Sequence, residues 1–259
     1  MDIAPPPRLL AIVNQKGGVG KTTCAINIAA GLSRLGFRVL LADLDPQANL
    51  TTALGISAAG PCLADLVGGK LSWKETAVCH GASGITVLPS SVRLASAEIG
   101  FAALPAREML LRQHLLPAAG NFDYALLDCP PALGLLTINA LVAAHGLIIP
   151  VLPEFLSLQG LSQINELQEV VRQKHNPGLA ISGIILNRFD RRKSLHREVL
   201  RRLQEHFGSR VLQPAIRDNI ALAEAPGYNM DIFSYRPDSI GAQDYLAICQ
   251  ELVRRCPAR

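Results

Sequence analysis

The stretch Val13-Asn14-Gln15-Lys16-Gly17-Gly18-Val19-Gly20-Lys21-Thr22-Thr23, VNQKGGVGKTT, decides the fold of this 259-residue chain. It follows an apolar run, Leu9 to Val13, that reads as a strand, and it leads into a helical pattern beginning near Lys21. Strand, glycine loop and helix in that order make a phosphate cradle. Gly17, Gly18, Val19 and Gly20 turn backbone N–H groups inward, and the helix N-terminus adds its partial positive charge. Lys21 is placed to neutralise the β- and γ-phosphates of a nucleotide, and the Thr22 hydroxyl to bind Mg²⁺. One residue departs from the ordinary pattern G-x-x-x-x-G-K-[ST]: Gln15 stands where a glycine belongs, and Lys16 follows it. Two ammonium groups about 8 Å apart repel by roughly 2 kcal/mol at an effective dielectric of 20, a cost that a highly charged anion near both would reverse.

Two acidic strand ends complete the pattern. In Leu40-Leu41-Ala42-Asp43-Leu44-Asp45-Pro46-Gln47-Ala48-Asn49-Leu50, period two places Asp43 and Asp45 on one face, aimed at the crevice beyond the strands. Alone they would be an acidic turn capping a strand; beside the glycine loop they become candidates for Mg²⁺ contact and for orienting an attacking water. In Phe122-Asp123-Tyr124-Ala125-Leu126-Leu127-Asp128-Cys129-Pro130-Pro131, Asp128 follows an apolar strand as a Walker B carboxylate does, holding the Mg²⁺ shell.

Further apolar runs at Val39 to Asp43, Ile85 to Leu88, Tyr124 to Asp128, Leu147 to Val151 and Ile181 to Leu186 read as buried strands. Between them lie helices such as Ser157 to Arg172, with Leu158, Leu161, Ile164, Leu167 and Val171 on one stripe. The expected fold is α/β, a doubly wound, mostly parallel sheet with helices on both faces, forming one domain over 1–259 with 1–8 as a flexible N-terminal segment.

Composition narrows the class. With 49% hydrophobic and 18% charged residues, the chain can bury a full core without disulfides or a structural metal. Six cysteines show no C-x-x-C pair, so they read as reduced thiols and a cytoplasmic location is expected. No apolar run approaches the roughly 20 residues of a membrane span. Net charge is only +4, yet residues 188–210 hold eight Lys/Arg against three acids, a local +5.

Taken together the motifs resemble those of the deviant Walker A ATPases and, within them, the ParA/Soj family of partition proteins. The resemblance runs through KGGVGKTT (16–23), DLDPQANLT (43–51), DCPP (128–131), IIPVLPEFLSLQGL (148–161), ILNRFDRR (185–192) and LAEAPG (222–227). It implies that Lys16 is the signature lysine, which crosses a homodimer interface to the phosphates bound by the other subunit, so that two protomers sandwich two ATP molecules with Mg²⁺. It also implies that Asp45 positions the hydrolytic water, that Thr23 helps hold the α-phosphate and that Asn187 lies near the adenine. The ATP dimer of such proteins binds double-stranded DNA without sequence preference, associates with the nucleoid and is released when a ParB-like partner stimulates hydrolysis.

The basic stretch gives that implication residues. On the helix expected over Ser194 to His206, Leu195, Val199 and Leu203 form an apolar row, and Arg197 and Arg201 fall off it. Arg192 stands where the Soj-like pattern carries a DNA-contacting arginine. The chain also departs from that pattern: Asp218 and Ala221 replace two arginines of relatives, leaving Arg217 nearby. Two alternatives within the superfamily are a positioning ATPase for a protein cargo, such as a chemoreceptor array or flagellar base, and a MinD-like membrane-associated ATPase. The second needs a C-terminal basic amphipathic helix, whereas the stripe at 245/246, 249 and 252/253 fits packing on the core. A cluster-bearing redox ATPase needs paired cysteines that the sequence lacks.

Overall fold

The computed structural model describes residues 8–155 and 157–258. Seven strands form one sheet: β1 (Arg8–Ile12), β2 (Val39–Asp43), β3 (Val78–His80), β4 (Ile85–Leu88), β5 (Tyr124–Asp128), β6 (Gly146–Val151) and β7 (Ala180–Leu186). Their order is β3-β4-β2-β5-β1-β6-β7, parallel throughout except for β3, which pairs antiparallel with β4 at the edge. The six strands expected from sequence are present with shifts of one residue at most. The expected flexible segment 1–8 is corrected at its last residue, because Arg8 opens β1 and donates its N–H to Asp123 O at 2.9 Å; residues 1–7 lie outside the described residues.

The unbroken apolar strands have the expected cause. Leu9, Ala11 and Val13 enter one core while Leu10 and Ile12 enter the other, and β2 and β5 alternate likewise. One core is closed by the helices Lys21–Arg34 and Ile240–Arg255, and Tyr245, Cys249 and Leu252 are buried there. The opposite core is covered by Leu63–Val67, Leu135–Ala143, Ser157–Lys174 and Ser194–Phe207, among others. No helix among the described residues is long and apolar enough to cross a membrane.

Register places the site. Asp128 is the neighbour of Ile12 on one side and of Asp43 on the other. The carboxyl ends of β2, β5 and β1 therefore finish level, with the glycine loop directly beyond β1. The edge strand β3 escaped sequence reading because Val78-Cys79-His80 is three residues long, largely exposed and without a periodic signal.

Candidate nucleotide site

Residues 13–20 leave β1 as a loop pinned at its start by Asn14, which is buried and donates from Nδ2 to Pro150 O at 2.7 Å while Oδ1 accepts from Lys16 N at 2.9 Å. Gly18 and Gly20 adopt positive φ, +74° and +90°. At Gly20 a Cβ would also stand 2.9 Å from Asn187 Nδ2, so no other residue fits without strain. The helix Lys21–Arg34 starts on this glycine without a side-chain cap, leaving its first N–H groups for an anion.

Three of the expected groups converge on the loop. The Thr22 hydroxyl donates to Asp128 Oδ2 at 2.8 Å, and Asp128 Oδ1 is buried with no hydrogen-bond partner among the described residues. A hydroxyl beside a carboxylate with an unused oxygen is the donor set that a hard divalent cation takes, so the residues fit Mg²⁺. Burial, with repulsion from Asp43, raises the Asp128 pKa well above the carboxylate range, against the pull of Thr22 and Lys21. Lys21 is buried and its pKa is lowered by desolvation, although Asp128 and Asp45 both favour its charge. Its Nζ lies 3.5 Å from Lys16 O.

Lys16 behaves differently. Its side chain is about half exposed and leaves the loop to form an ion pair with Glu154, just beyond β6. The two lysines of the loop thus have separate surroundings: Lys21 faces inward to the acidic strand ends, and Lys16 projects outward with one carboxylate.

The two aspartates of β2 also part company, which corrects the expectation that both face the crevice. Asp43 is fully buried and accepts from Thr51 Oγ1 at 2.7 Å, Thr51 N at 2.9 Å and Asp45 N at 3.1 Å. Burial pushes its pKa up to about 6 in spite of those hydrogen bonds. Asp45 lies beyond the strand end, partly exposed, with Oδ1 accepting from Gln47 N at 2.9 Å.

A cavity of about 460 Å³ opens beside the loop, lined by Val19, Gly20, Thr23, Arg188, Ile216 to Ile220 and Tyr245 among others. Its place next to Gly20 and Thr23 suits the base and ribose of a nucleotide whose phosphates lie in the loop. Asn187, expected near the adenine, lines this cavity, and its amide is already engaged: Nδ2 donates to Val19 O at 2.7 Å and Oδ1 faces Cys24 Sγ at 3.7 Å. Asn187 therefore holds the loop against β7. Cys24 is buried with its thiol pKa pushed up to about 11 by desolvation, which makes it a packing residue. Among the described residues no cluster of His, Cys, Asp or Glu forms a further metal site.

The basic stretch is only partly free. Arg192 forks onto Asp190 at 3.0 and 2.9 Å. Arg201 pairs with Glu198 and Glu205, and Arg202 pairs with Glu198 at 2.7 Å. Arg197 donates to the carbonyls of Arg191 and Arg192 at 2.7 and 3.0 Å, closing the turn that precedes its helix. Leu195, expected in the apolar row, is exposed, while Val199 and Leu203 are buried. Among the described residues, Arg188, Arg191, Lys193 and Arg210 have no carboxylate partner.

Arg217 is the most firmly held of the expected DNA contacts. It forks onto the buried Asp244 through Nη2 at 2.6 Å and Nε at 3.0 Å, and its own N–H bonds the same carboxylate. Arg217→Ala would leave that carboxylate uncompensated. We expect a loss of about 2 kcal/mol, below the usual cost of breaking a buried pair because Arg217 is itself half exposed, measurable by urea unfolding.

Sequence reading missed Glu154, Asp244 and the inward turn of Asp43, since each depends on residues brought together by the sheet. Comparison with known proteins adds independent ground. The AAA domain family matches residues 7–181. The sporulation initiation inhibitor protein Soj of Bacillus subtilis is 39% identical over 247 residues, 95% of this chain and 98% of its own. The chromosome partitioning protein ParA of Caulobacter vibrioides is 40% identical over 256 residues, 97% and 96% of the two chains. Among solved structures, the cobyrinic acid a,c-diamide synthase of Mycobacterium smegmatis with bound ADP and magnesium superposes with a TM-score of 0.84 at 33% identity, covering 98% of this chain and 99% of that one. With identity near 40% across almost the whole length and the glycine loop, Asp45 and Asp128 in place, the chain belongs to the ParA/Soj family of deviant Walker A ATPases.

Proposed function

We propose that this ATPase is a dimerising switch. ATP lies with its phosphates in loop 16–23 and its base in the cavity beside Tyr245; Lys21 and the helix N-terminus compensate its charge. Thr22 and Asp128, with Asp45 close by, would hold Mg²⁺, and the ion would supply charge compensation for the phosphates. Asp45 orients the hydrolytic water, and Thr23 supports the α-phosphate. Lys16 reaches the nucleotide of a second protomer. The observation that carries this reading is the division of labour in the loop, one lysine buried toward Asp128 and the other projecting outward.

The ATP dimer would then grip double-stranded DNA without sequence preference, and a ParB-like partner would stimulate hydrolysis and release it. The supporting surface is the turn and helix at 188–207, where Arg191 and Lys193 are unpaired and Arg192, Arg197 and Arg201 are exposed. Exposed ion pairs such as Arg192–Asp190 are worth about 1 kcal/mol or less, so DNA phosphates can displace those carboxylates. Arg217, fixed on Asp244, is the least available contact. Binding is expected only with ATP and should weaken about 10³-fold between 50 and 200 mM salt if about six phosphates are contacted. Fluorescence anisotropy on unrelated duplexes checks this; nucleotide-independent or salt-insensitive binding would count against it.

One observation favours a second reading. Carboxylates occupy the forks of Arg192, Arg201, Arg202 and Arg217, and Asp218 and Ala221 stand where the resemblance to the Soj-like pattern leads one to expect arginine. An ATP dimer that binds no DNA would point to a protein cargo in its place.

A further inference from the structure

We infer that Asp43 is a positioning residue for ATP hydrolysis, acting through Asp45 by clamping both ends of the 45–51 loop. This rests on the reading of Asp45 as the group that orients the water. Asp43 is the last residue of β2 and is fully buried. No cation pairs with it among the described residues, and its neighbour across the sheet is another buried carboxylate, Asp128. A buried carboxylate without a counter-ion is costly unless several donors satisfy it.

The donors it has are all at the two ends of one loop. Asp45 N–H bonds Oδ1 where the loop leaves the strand, and Thr51 N–H and Oγ1–H bond Oδ2 from inside the short helix Asn49–Ala53 that ends the loop. The Thr51 hydroxyl oxygen in turn accepts Ser90 N–H at 2.9 Å, which ties the clamp to the chain just beyond β4. Within the closed loop, Ala48 takes a left-handed conformation, φ +54°, and donates to Asp45 O at 2.9 Å. Asp45 is therefore fixed at its N–H by Asp43, at its carbonyl by Ala48 and at one carboxylate oxygen by Gln47. A shift of about 1 Å at a reacting group can cost 10²-fold in rate, so the bonds that fix this segment bear directly on the placement of the Asp45 carboxylate.

Thr51 offers the sharper test, because Val matches its shape without the hydroxyl. Single-turnover ATP hydrolysis, ATP affinity from a fluorescent analogue and thermal unfolding are measured for Thr51→Val, Thr51→Ser and Asp43→Asn. Thr51→Val is expected to lower the hydrolysis rate about tenfold or more while ATP affinity stays within about twofold, and Thr51→Ser to restore the rate. Asp43→Asn, if it folds, should lose at least as much, and adding Thr51→Val to it should cost little further, since both act in one clamp. If Thr51→Val hydrolyses ATP at the parental rate, or loses ATP affinity in step with rate, or if Thr51→Ser does not rescue it, the clamp is wrong. Asp45→Ala run alongside separates the two claims. Normal turnover in Asp45→Ala removes the reading on which the clamp rests; an inactive Asp45→Ala beside a fully active Thr51→Val removes the clamp alone.

Discussion

Asp45→Ala is expected to bind ATP normally and to hydrolyse it about 10²- to 10³-fold more slowly, so that the ATP-bound state persists. The magnitude is that of a group positioned to orient or deprotonate the attacking water. ATP affinity should survive because the phosphate cradle is built elsewhere, from the glycine loop, Lys21 and the helix N-terminus. Removing a carboxylate close to Lys21 also lessens negative charge where phosphates sit, so affinity is not expected to fall. The fold should tolerate the change, since Asp45 is partly exposed and among the described residues its one side-chain bond is to Gln47 N–H. Single-turnover hydrolysis with labelled ATP measures it, and a normal rate would remove Asp45 from the mechanism.

Lys16→Ala is expected to separate ATP binding from dimerisation. Lys16 contributes no hydrogen bond to its own cradle through its side chain, which instead meets Glu154. ATP affinity of the monomer should therefore stay within about threefold. An ammonium group buried against phosphates across an interface is a different matter: truncating one partner of such a desolvated pair costs about 2–5 kcal/mol, so the ATP dimer should weaken about 30-fold or more. The exposed Lys16–Glu154 pair is worth at most about 1 kcal/mol and is no obstacle to that transfer. A fluorescent ATP analogue reports the monomer affinity, and a loss of binding in this variant would place Lys16 in its own cradle.

The sheet and the phosphate loop were legible because local sequence dictates them. Apolar runs with both faces covered mark parallel strands, and glycines followed by Lys-Thr at the end of one of them mark the loop. Asp128 was legible for the same reason, as an acid at the end of an apolar strand. Asp43 and Asp45 show where that logic stops. Period two gave both the same face, but the chain leaves the sheet after Asp43, so Thr51 and Asp45 N–H close over one carboxylate while the other lies beyond the strand end, close enough to Lys21 to favour its charge. Asn187 was expected at the base and lines that cavity, yet its amide serves Val19 O, a partner 168 residues away that no spacing signals.

The charged surface was the least legible part. Arg192, Arg197, Arg201 and Arg217 look alike in sequence, and the fold gives each a different neighbour. Arg192 and Arg201 meet carboxylates in surface ion pairs, Arg197 meets two backbone carbonyls, and Arg217 meets a buried aspartate from the C-terminal helix. Count of charge alone would treat them as one patch; their partners rank them from displaceable to fixed.

Sedimentation velocity of the Asp45→Ala chain with and without ATP, in the presence and absence of Lys16→Ala, tests the dimerising switch most directly. The account predicts a monomer without nucleotide, a stable dimer when ATP is added to Asp45→Ala, and a monomer under the same conditions once Lys16 is also replaced. A dimer that forms without ATP, or one that survives the loss of Lys16, would contradict it.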